Sequence, residues 1–287
     1  MIVARTIEEI RQAVASAKSS GRAVGLVPTM GALHEGHYSL IDAARERGLY
    51  VVVSLFVNPT QFGPAEDLAS YPREPEADQA GCRQRGADAL FMPDVAEMYP
   101  RPCRTVVDVP DLGQTLCGAS RPGHFAGVCT VVAKLLHIVE PDAAFFGAKD
   151  FQQATILRRM AEDLNVPTEI VVCPTVREAD GLALSSRNAY LTPDERRQAP
   201  ALRRSLEKAA EVIRRDRPSA GGVCETIIAF LRAEAPSGVV DYVEIVDPEA
   251  LSPVENTNDA VLIALAVRFG RARLIDNIVV DGETGGG

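Results

Sequence analysis

The sequence predicts an α/β fold: a doubly wound parallel-sheet domain over residues 1–175, followed by a smaller α+β domain with antiparallel strands over residues 176–287. Two observations carry this. Up to about residue 175, short apolar runs alternate with stretches of helical apolar spacing, the pattern of repeated βα units and of a parallel sheet. Beyond about residue 190, two helical stretches come first and three strand-like stretches follow, which suits antiparallel pairing.

Taken in order, residues 7–18 carry helical spacing, and 23–27 form a short apolar strand closed by Pro28. Residues 38–47 are helical, with Leu40, Ile41 and Ala44 on one side. The apolar run 50–57 is a strand ending at Asn58-Pro59, so 23–57 is a βαβ unit with parallel strands. The pattern recurs as strand 89–92, helix 127–139, strand 143–146, helix 150–164 and strand 169–173. In the second part, Thr192-Pro193-Asp194-Glu195 is a capping box with proline at the first helical position. One long helix is expected from there to about residue 215. The pair Gly221-Gly222 separates it from a helix over 223–233, and strands at 239–246, 260–269 and 272–280 close the chain. The domain boundary falls near 176–190, and the glycine-rich tail 285–287 reads as frayed.

Apolar residues make up 46% of the 287 and charged residues 24%, so a sizeable core forms without disulfides or structural metals. The longest apolar runs, 260–267 and 51–57, are far too short to span a membrane. The N-terminus lacks the basic flank and apolar stretch of a signal peptide. No membrane partner and a cytoplasmic location are therefore expected. The six cysteines form no C-x-x-C pair, which suits reduced thiols. A net charge of −9 and the absence of tryptophan argue against a nucleic-acid partner, while leaving anionic small molecules open.

In doubly wound sheets, ligands bind beyond the carboxyl ends of the strands. Three polar clusters fall there, and a fourth lies at the domain boundary. The first, residues 28–37, joins a strand to a helix and contains Met30, Gly31, Ala32, Leu33, His34, Glu35, Gly36 and His37. Its glycines allow close backbone approach, and a helix start offers N–H groups and a positive dipole to an anion. His34 and His37 are three apart and share a face on a helical turn, which suits a polyphosphate whose charge shifts during reaction. Taken alone, such an H-x-x-H serves as readily for one helix cap and one surface histidine. It lacks the spacing of a zinc site.

The second cluster, Asn58-Pro59-Thr60-Gln61, offers uncharged amides suited to a small hydroxylated substrate, although an Asn-Pro turn alone is ordinary. The third contains Gly147, Ala148, Lys149, Asp150 and Gln153; Lys149 suits a phosphate, and Asp150 equally suits a helix cap. The fourth, Leu184-Ser185-Ser186-Arg187, puts two hydroxyls and a guanidinium in one short loop. There is no G-x-x-x-x-G-K-[ST] and no G-x-G-x-x-G after the first strand, so neither a P-loop nor a Rossmann dinucleotide site is expected.

Together these clusters resemble the nucleotidylyltransferase superfamily and, more closely, the pantoate–β-alanine ligase (pantothenate synthetase) family. The stretches that carry the resemblance are VPTMGALHEGH at 27–37, VVVSLFVNPTQF at 51–62, SRPGHFAGV at 120–128, FFGAKDFQQ at 145–153 and READGLALSSRNAYL at 177–191. It runs from about residue 2 to 281. It implies a ligase that joins pantoate to β-alanine with ATP, giving pantothenate, AMP and pyrophosphate through a pantoyl adenylate. It implies a Rossmann-like nucleotide- and pantoate-binding domain over 1–175, and a lid and dimer side over 176–287. ATP would be held by residues 30–37, by Gly147, Ala148, Lys149 and Asp150, by Val176, and by Leu184, Ser185, Ser186 and Arg187. His37, His34, Lys149 and Arg187 would carry the catalysis. Gln61 would bind pantoate and β-alanine and Gln153 pantoate, with Asn58 and Arg121 as lesser candidates. The family also implies Mg2+ with ATP, no tightly bound organic cofactor, a homodimer, and a place in pantothenate and coenzyme A biosynthesis. Two positions depart from the usual pattern: Ala148 and Cys117 stand where the family usually has Glu.

A tRNA-charging enzyme would share the histidine turn, but the acidic chain and the Gln61/Gln153 pair speak against it. A non-catalytic nucleotide-binding protein is the other alternative.

Overall fold

The structure is a computed structural model that describes residues 1–64, 66 and 68–282; the tail 285–287 lies outside them. Its six-stranded sheet comprises β1 (Ile2–Ala4), β2 (Val24–Thr29), β3 (Tyr50–Leu55), β4 (Ala89–Phe91), β5 (Ala143–Gly147) and β6 (Glu169–Cys173). The strand order is β1-β4-β3-β2-β5-β6, with every pair parallel. From β2 the chain steps outward to β3 and β4, and from β5 it steps the other way to β6. β2 and β5 are therefore neighbours at the topological switch point, where doubly wound sheets open a crevice. The turns after these two strands begin at Met30 and Ala148.

The strands are apolar because both faces are covered: Val27, Val51, Val53, Leu90 and Phe145 are all fully buried. Sequence reading missed β1, whose three residues carry no period, and the helix Pro75–Gln84, whose glycine and charges dilute its pattern. β2 runs through Pro28 to Thr29 rather than stopping at residue 27. β2 pairs with β5 only at Gly25 and Leu26, so Pro28 lies past that ladder.

Two compact units divide the chain. The first contains Met1–Gly113, Arg121–Ala148 and Gln153–Thr175; the second contains Gln114–Ser120, Lys149–Gln152 and Val176–Gly287. Lys149 and its neighbours thus pack with the second unit, although they precede residue 175. Their bonds explain it. The Asn277 amide donates to the Lys149 carbonyl at 2.9 Å, and the Gln152 side chain bonds the backbone of Thr115 and Cys117 at 2.8 and 3.0 Å.

In the second unit, β7 (Gly238–Val246), β8 (Val261–Phe269) and β9 (Ala272–Val280) form an antiparallel sheet in that order. It packs on the helices Ala201–Asp216 and Ala220–Glu234 through Leu206, Ile213, Ile227, Leu265 and Phe269. The single long helix expected from residue 192 is instead two, Pro193–Gln198 and Ala201–Asp216. Pro200 divides them: it lacks the N–H that would continue the helical ladder, although Ala199 before it keeps helical backbone. Gly221 and Gly222 lie inside the first turn of the next helix, where Ser219 accepts the Gly222 N–H.

Candidate functional site

In the first unit, the chain leaves β2 at Thr29 and must turn sharply into the helix Glu35–Glu46. Gly31 and Ala32 take left-handed backbone, with φ of 89° and 51°. The helix begins three residues earlier than its apolar period indicates, so both histidines sit in its opening. His34 is the N-cap: its Nδ1 accepts the Gly36 N–H at 3.1 Å. His37 reaches back, its Nδ1 accepting the His34 N–H at 3.3 Å. Their rings lie 4.2 Å apart, tilted by 37°.

This reciprocal cap fixes the chemistry of both rings. A nitrogen that accepts from a backbone N–H carries no proton, so in the neutral imidazoles the proton is on Nε2. Each histidine is thereby a helix cap and, through Nε2–H, a donor at a helix N-terminus. The capping role and the ligand role, alternatives in the sequence, are compatible in the structure.

A second helix anchors this turn. Asp78, on Pro75–Gln84, is 2% exposed and accepts the N–H groups of Ala32 and Leu33 at 2.9 and 2.7 Å. Arg85 bonds Glu35 and Asp42 of the histidine helix at 2.6 and 2.9 Å and lies over the Tyr38 ring. Gly81 allows the approach: a Cβ there would fall 2.0 Å from the Tyr38 hydroxyl oxygen. Burial pushes the nearby Cys82 thiol up to about 12, so it stays protonated.

After β3, Asn58 opens the short turn Pro59–Gln61. Asn58 is 1% exposed, and its amide is committed within the protein. It donates to Gln61 Oε1 at 3.2 Å and to the Gly127 carbonyl at 3.1 Å, and it accepts from Thr60 and from the Tyr99 hydroxyl at 2.9 Å. Its geometry is that of a residue that orients Gln61. The Gln61 Nε2 donates to Met30 Sδ at 3.2 Å, tying this turn to the histidine turn. Gly127, on the helix His124–Val139, lets that helix lie against Gln61; a Cβ there would meet the Thr60 carbonyl oxygen at 2.4 Å.

Arg121 does not stand alone either. It makes a two-pronged pair with Glu66, with Nε donating at 2.7 Å, and its NH1 lies 2.9 Å from His124 Nε2. A guanidinium only donates, so His124 Nε2 accepts, and its Nδ1–H donates to the Gln61 carbonyl at 2.8 Å. Burial acts to raise the Glu66 carboxyl, but the Arg121 hydrogen bonds and charge outweigh it and hold the carboxyl below its ordinary range. Gly147 ends β5, Ala148 follows it, and Gln153 sits half-buried on the helix Phe151–Asp163.

In the second unit, the segment after Thr175 folds back on itself at Gly181, with φ of 90°. The Leu184 N–H donates to the Val176 carbonyl at 3.0 Å, joining two predicted nucleotide contacts. The Ser185 hydroxyl then caps the short turn Ser186–Tyr190 by accepting the Arg187 N–H at 3.3 Å. The fold is pinned by the Arg177–Asp276 pair, at 2.7 and 2.8 Å, and by Arg196, which reaches Glu178 and Asp180 at 2.6 Å each. Lys149, Ser185, Asn188 and Asp276 line one cleft. Two of the phosphate-binding clusters read from sequence, Lys149–Asp150 and Leu184–Arg187, thus belong to one unit. Histidine turn, Gln61 and Gln153 belong to the other.

Asp78, Gly81 and Gly127 escaped sequence reading. Asp78 acts on backbone N–H groups, which leave no partner to find in the sequence. The pattern G-H-F-A-G at 123–127 was a signal for Gly127, since a glycine inside an apolar helix asks for a close neighbour.

A sequence model for pantoate–β-alanine ligases matches residues 2–279. A pantothenate synthetase of Pelotomaculum thermopropionicum is 54% identical over 98% of this chain and 99% of the relative. The crystal structure of pantothenate synthetase from Thermus thermophilus superposes with a TM-score of 0.92, at 46% identity, over 98% of this chain and 100% of that one. A pantoate–β-alanine ligase from Francisella tularensis, solved in complex with β,γ-ATP and β-alanine, superposes with a TM-score of 0.79 at 34% identity, over 97% of both chains.

Proposed function

The chain belongs to the pantoate–β-alanine ligase family, and on that premise we propose how its residues carry out the ATP-dependent condensation of pantoate with β-alanine. The observation that carries the reading is the reciprocal histidine cap at the switch point, which holds two Nε2–H donors at a helix N-terminus.

The reaction has two steps. A carboxylate oxygen of pantoate bonds to the α-phosphorus of ATP, and the bridging P–O bond breaks with its electron pair leaving on pyrophosphate. The amine of β-alanine then attacks the acyl carbon, the C–O bond to AMP breaks, and the amine loses a proton. The first step needs alignment and charge stabilisation more than covalent help. His34 and His37 donate through Nε2–H to phosphate oxygens as charge shifts to the leaving group. A carboxylate has no proton to remove, so His37 acts as a hydrogen-bond donor and not as a base. Lys149 and Arg187 add fixed positive charge, with the Ser185 and Ser186 hydroxyls beside them.

Residues 30–37, Gly147, Ala148, Asp150, Val176 and Leu184 complete the nucleotide contacts. Gln61 and Gln153 bind pantoate, and Gln61 also meets β-alanine. Arg121, paired with Glu66, supports the Gln61 turn through His124. On this reading residues 1–175 hold nucleotide and pantoate, and residues 176–287 form the lid and dimer side.

Magnesium enters as the partner of the polyphosphate. Among the described residues no three His, Cys, Asp or Glu side chains are grouped to hold a metal ion. Mg2+ commonly binds through substrate phosphates and water instead. A homodimer and a cytoplasmic location accompany the family resemblance, and no helix among the described residues is long and apolar enough to cross a membrane.

Pantoate-dependent exchange of labelled pyrophosphate into ATP, measured without β-alanine, tests the reading. Exchange is expected with pantoate alone, and AMP release is expected to need both acids. Exchange that requires β-alanine would rule out a free-standing adenylation step.

A further inference from the structure

The turn that carries the histidines is also a place where an anion belongs. Gly31 and Ala32 are both left-handed, and this aims two successive N–H groups, of Ala32 and Leu33, into one concavity. Paired backbone N–H groups of this kind bind phosphates in many nucleotide sites. Here the concavity is taken. Asp78 places one carboxylate oxygen on each N–H, Oδ2 on Ala32 at 2.9 Å and Oδ1 on Leu33 at 2.7 Å. No cation pairs with Asp78 among the described residues, so these two bonds are its compensation for burial. Burial pushes its carboxyl up, while both N–H groups favour the ionised form. Gly31 is required twice over: its φ is 89°, and a Cβ there would lie 3.0 Å from Asp78 Oδ2.

We infer that Asp78 is a resident anion that fills the backbone site of the glycine turn and, by holding Ala32 and Leu33, sets the position of the histidine pair. The polyphosphate is thereby denied the N–H groups of Ala32 and Leu33 and directed to the imidazole donors. Asp78 is a positioning residue: it acts through His34 and His37 and touches no reacting atom. This inference rests on the adenylation reading above.

Two variants separate positioning from folding. Asp78→Asn keeps the shape but turns an amide N–H2 toward one backbone N–H, so one bond is lost and one contact becomes repulsive. Asp78→Ala empties the site and leaves room for formate, a carboxylate without a side chain. Pantoate-dependent ATP–pyrophosphate exchange, β-alanine KM and thermal midpoint are measured for each. For Asp78→Asn, exchange kcat is expected to fall about 10- to 100-fold, the scale for a small displacement of catalytic groups, with β-alanine KM unchanged. Formate is expected to raise exchange by Asp78→Ala several-fold, while chloride at the same ionic strength does not, and to leave wild type and Asp78→Asn unmoved.

Wild-type exchange in the Asp78→Asn variant overturns the inference. So does an Asp78→Ala variant that formate does not restore, and so does failure of both variants to fold, which would make Asp78 a folding residue only. Absence of exchange in wild type overturns the adenylation reading instead, so the two failures are told apart.

Discussion

The histidine turn of the first unit and the Ser185–Arg187 loop of the second are both read as polyphosphate-binding, yet they differ in what holds them. The histidine turn is held by bonds to its own backbone: two imidazole caps and a buried carboxylate. The loop has a backbone bond and a serine cap of its own and the buried Arg177–Asp276 pair, but it also leans on ion pairs from Arg196 to Glu178 and Asp180, each about a third exposed or more. Backbone bonds fix donors in advance and are insensitive to salt, whereas exposed ion pairs are weak and screened. The difference teaches that one anchor rests on caps and a buried carboxylate, while the other is tethered in part by exposed ion pairs.

If so, the largest effect belongs to the first. His37→Ala is expected to lower adenylation by about 10²–10³-fold, the scale for losing one preorganised donor. His34 sharpens the test because it is the N-cap residue itself, a role another capping residue can fill. His34→Ala is expected to lose the same factor and also about 1 kcal/mol of stability with the cap. His34→Asn should restore the cap and the melting temperature without restoring turnover. Recovery of turnover by asparagine would make His34 a cap only.

Next in size is Gln61. Its replacement by Ala is expected to weaken pantoate binding by about 1.5–3 kcal/mol, the cost of a buried hydrogen bond to a charged partner. ATP affinity in calorimetry should change little; equal losses of both would contradict the division of labour. Gly127→Ala reaches the same residue indirectly, since its Cβ would press on the Thr60 carbonyl oxygen at 2.4 Å and on Gln61 Cα at 2.6 Å. It should raise the pantoate KM with Gln61 still present, and leave the ATP KM alone.

The smallest effect is expected at the tethered loop. Arg196→Ala should raise the ATP KM only a few-fold, in line with about 0.2–1 kcal/mol for an exposed pair, and added salt should bring wild type toward the variant. The Arg196 hydrogen bond holds the Asp180 carboxyl below its ordinary value of 3.8. The pair is therefore intact above that pH and is lost as pH falls through the lowered value. A loss at Arg196 as large as at His37 would erase the contrast.

The architecture was legible in the sequence because parallel strands covered on both faces leave near-continuous apolar runs, as in 143–146 and in 50–55, where only Ser54 interrupts. The histidine turn was legible as a motif but not as a structure. Nothing in H-E-G-H says that each Nδ1 faces a backbone N–H. The helix break at Pro200 is legible in the sequence, whereas the capping box at 192–195 marks only where a helix starts. Lys149 was placed by chain order with the first unit. Its neighbour Asn277, far along the chain, decides otherwise, and only the fold brings them together.

The central claim is that a pantoate carboxylate oxygen attacks the α-phosphorus at a site whose donors are preset. Turnover with pantoate labelled by 18O in its carboxylate tests it most directly, with AMP, pyrophosphate and pantothenate analysed by mass spectrometry. One labelled oxygen is expected in each AMP, with pyrophosphate unlabelled. Label in pyrophosphate, or AMP free of label, would contradict it.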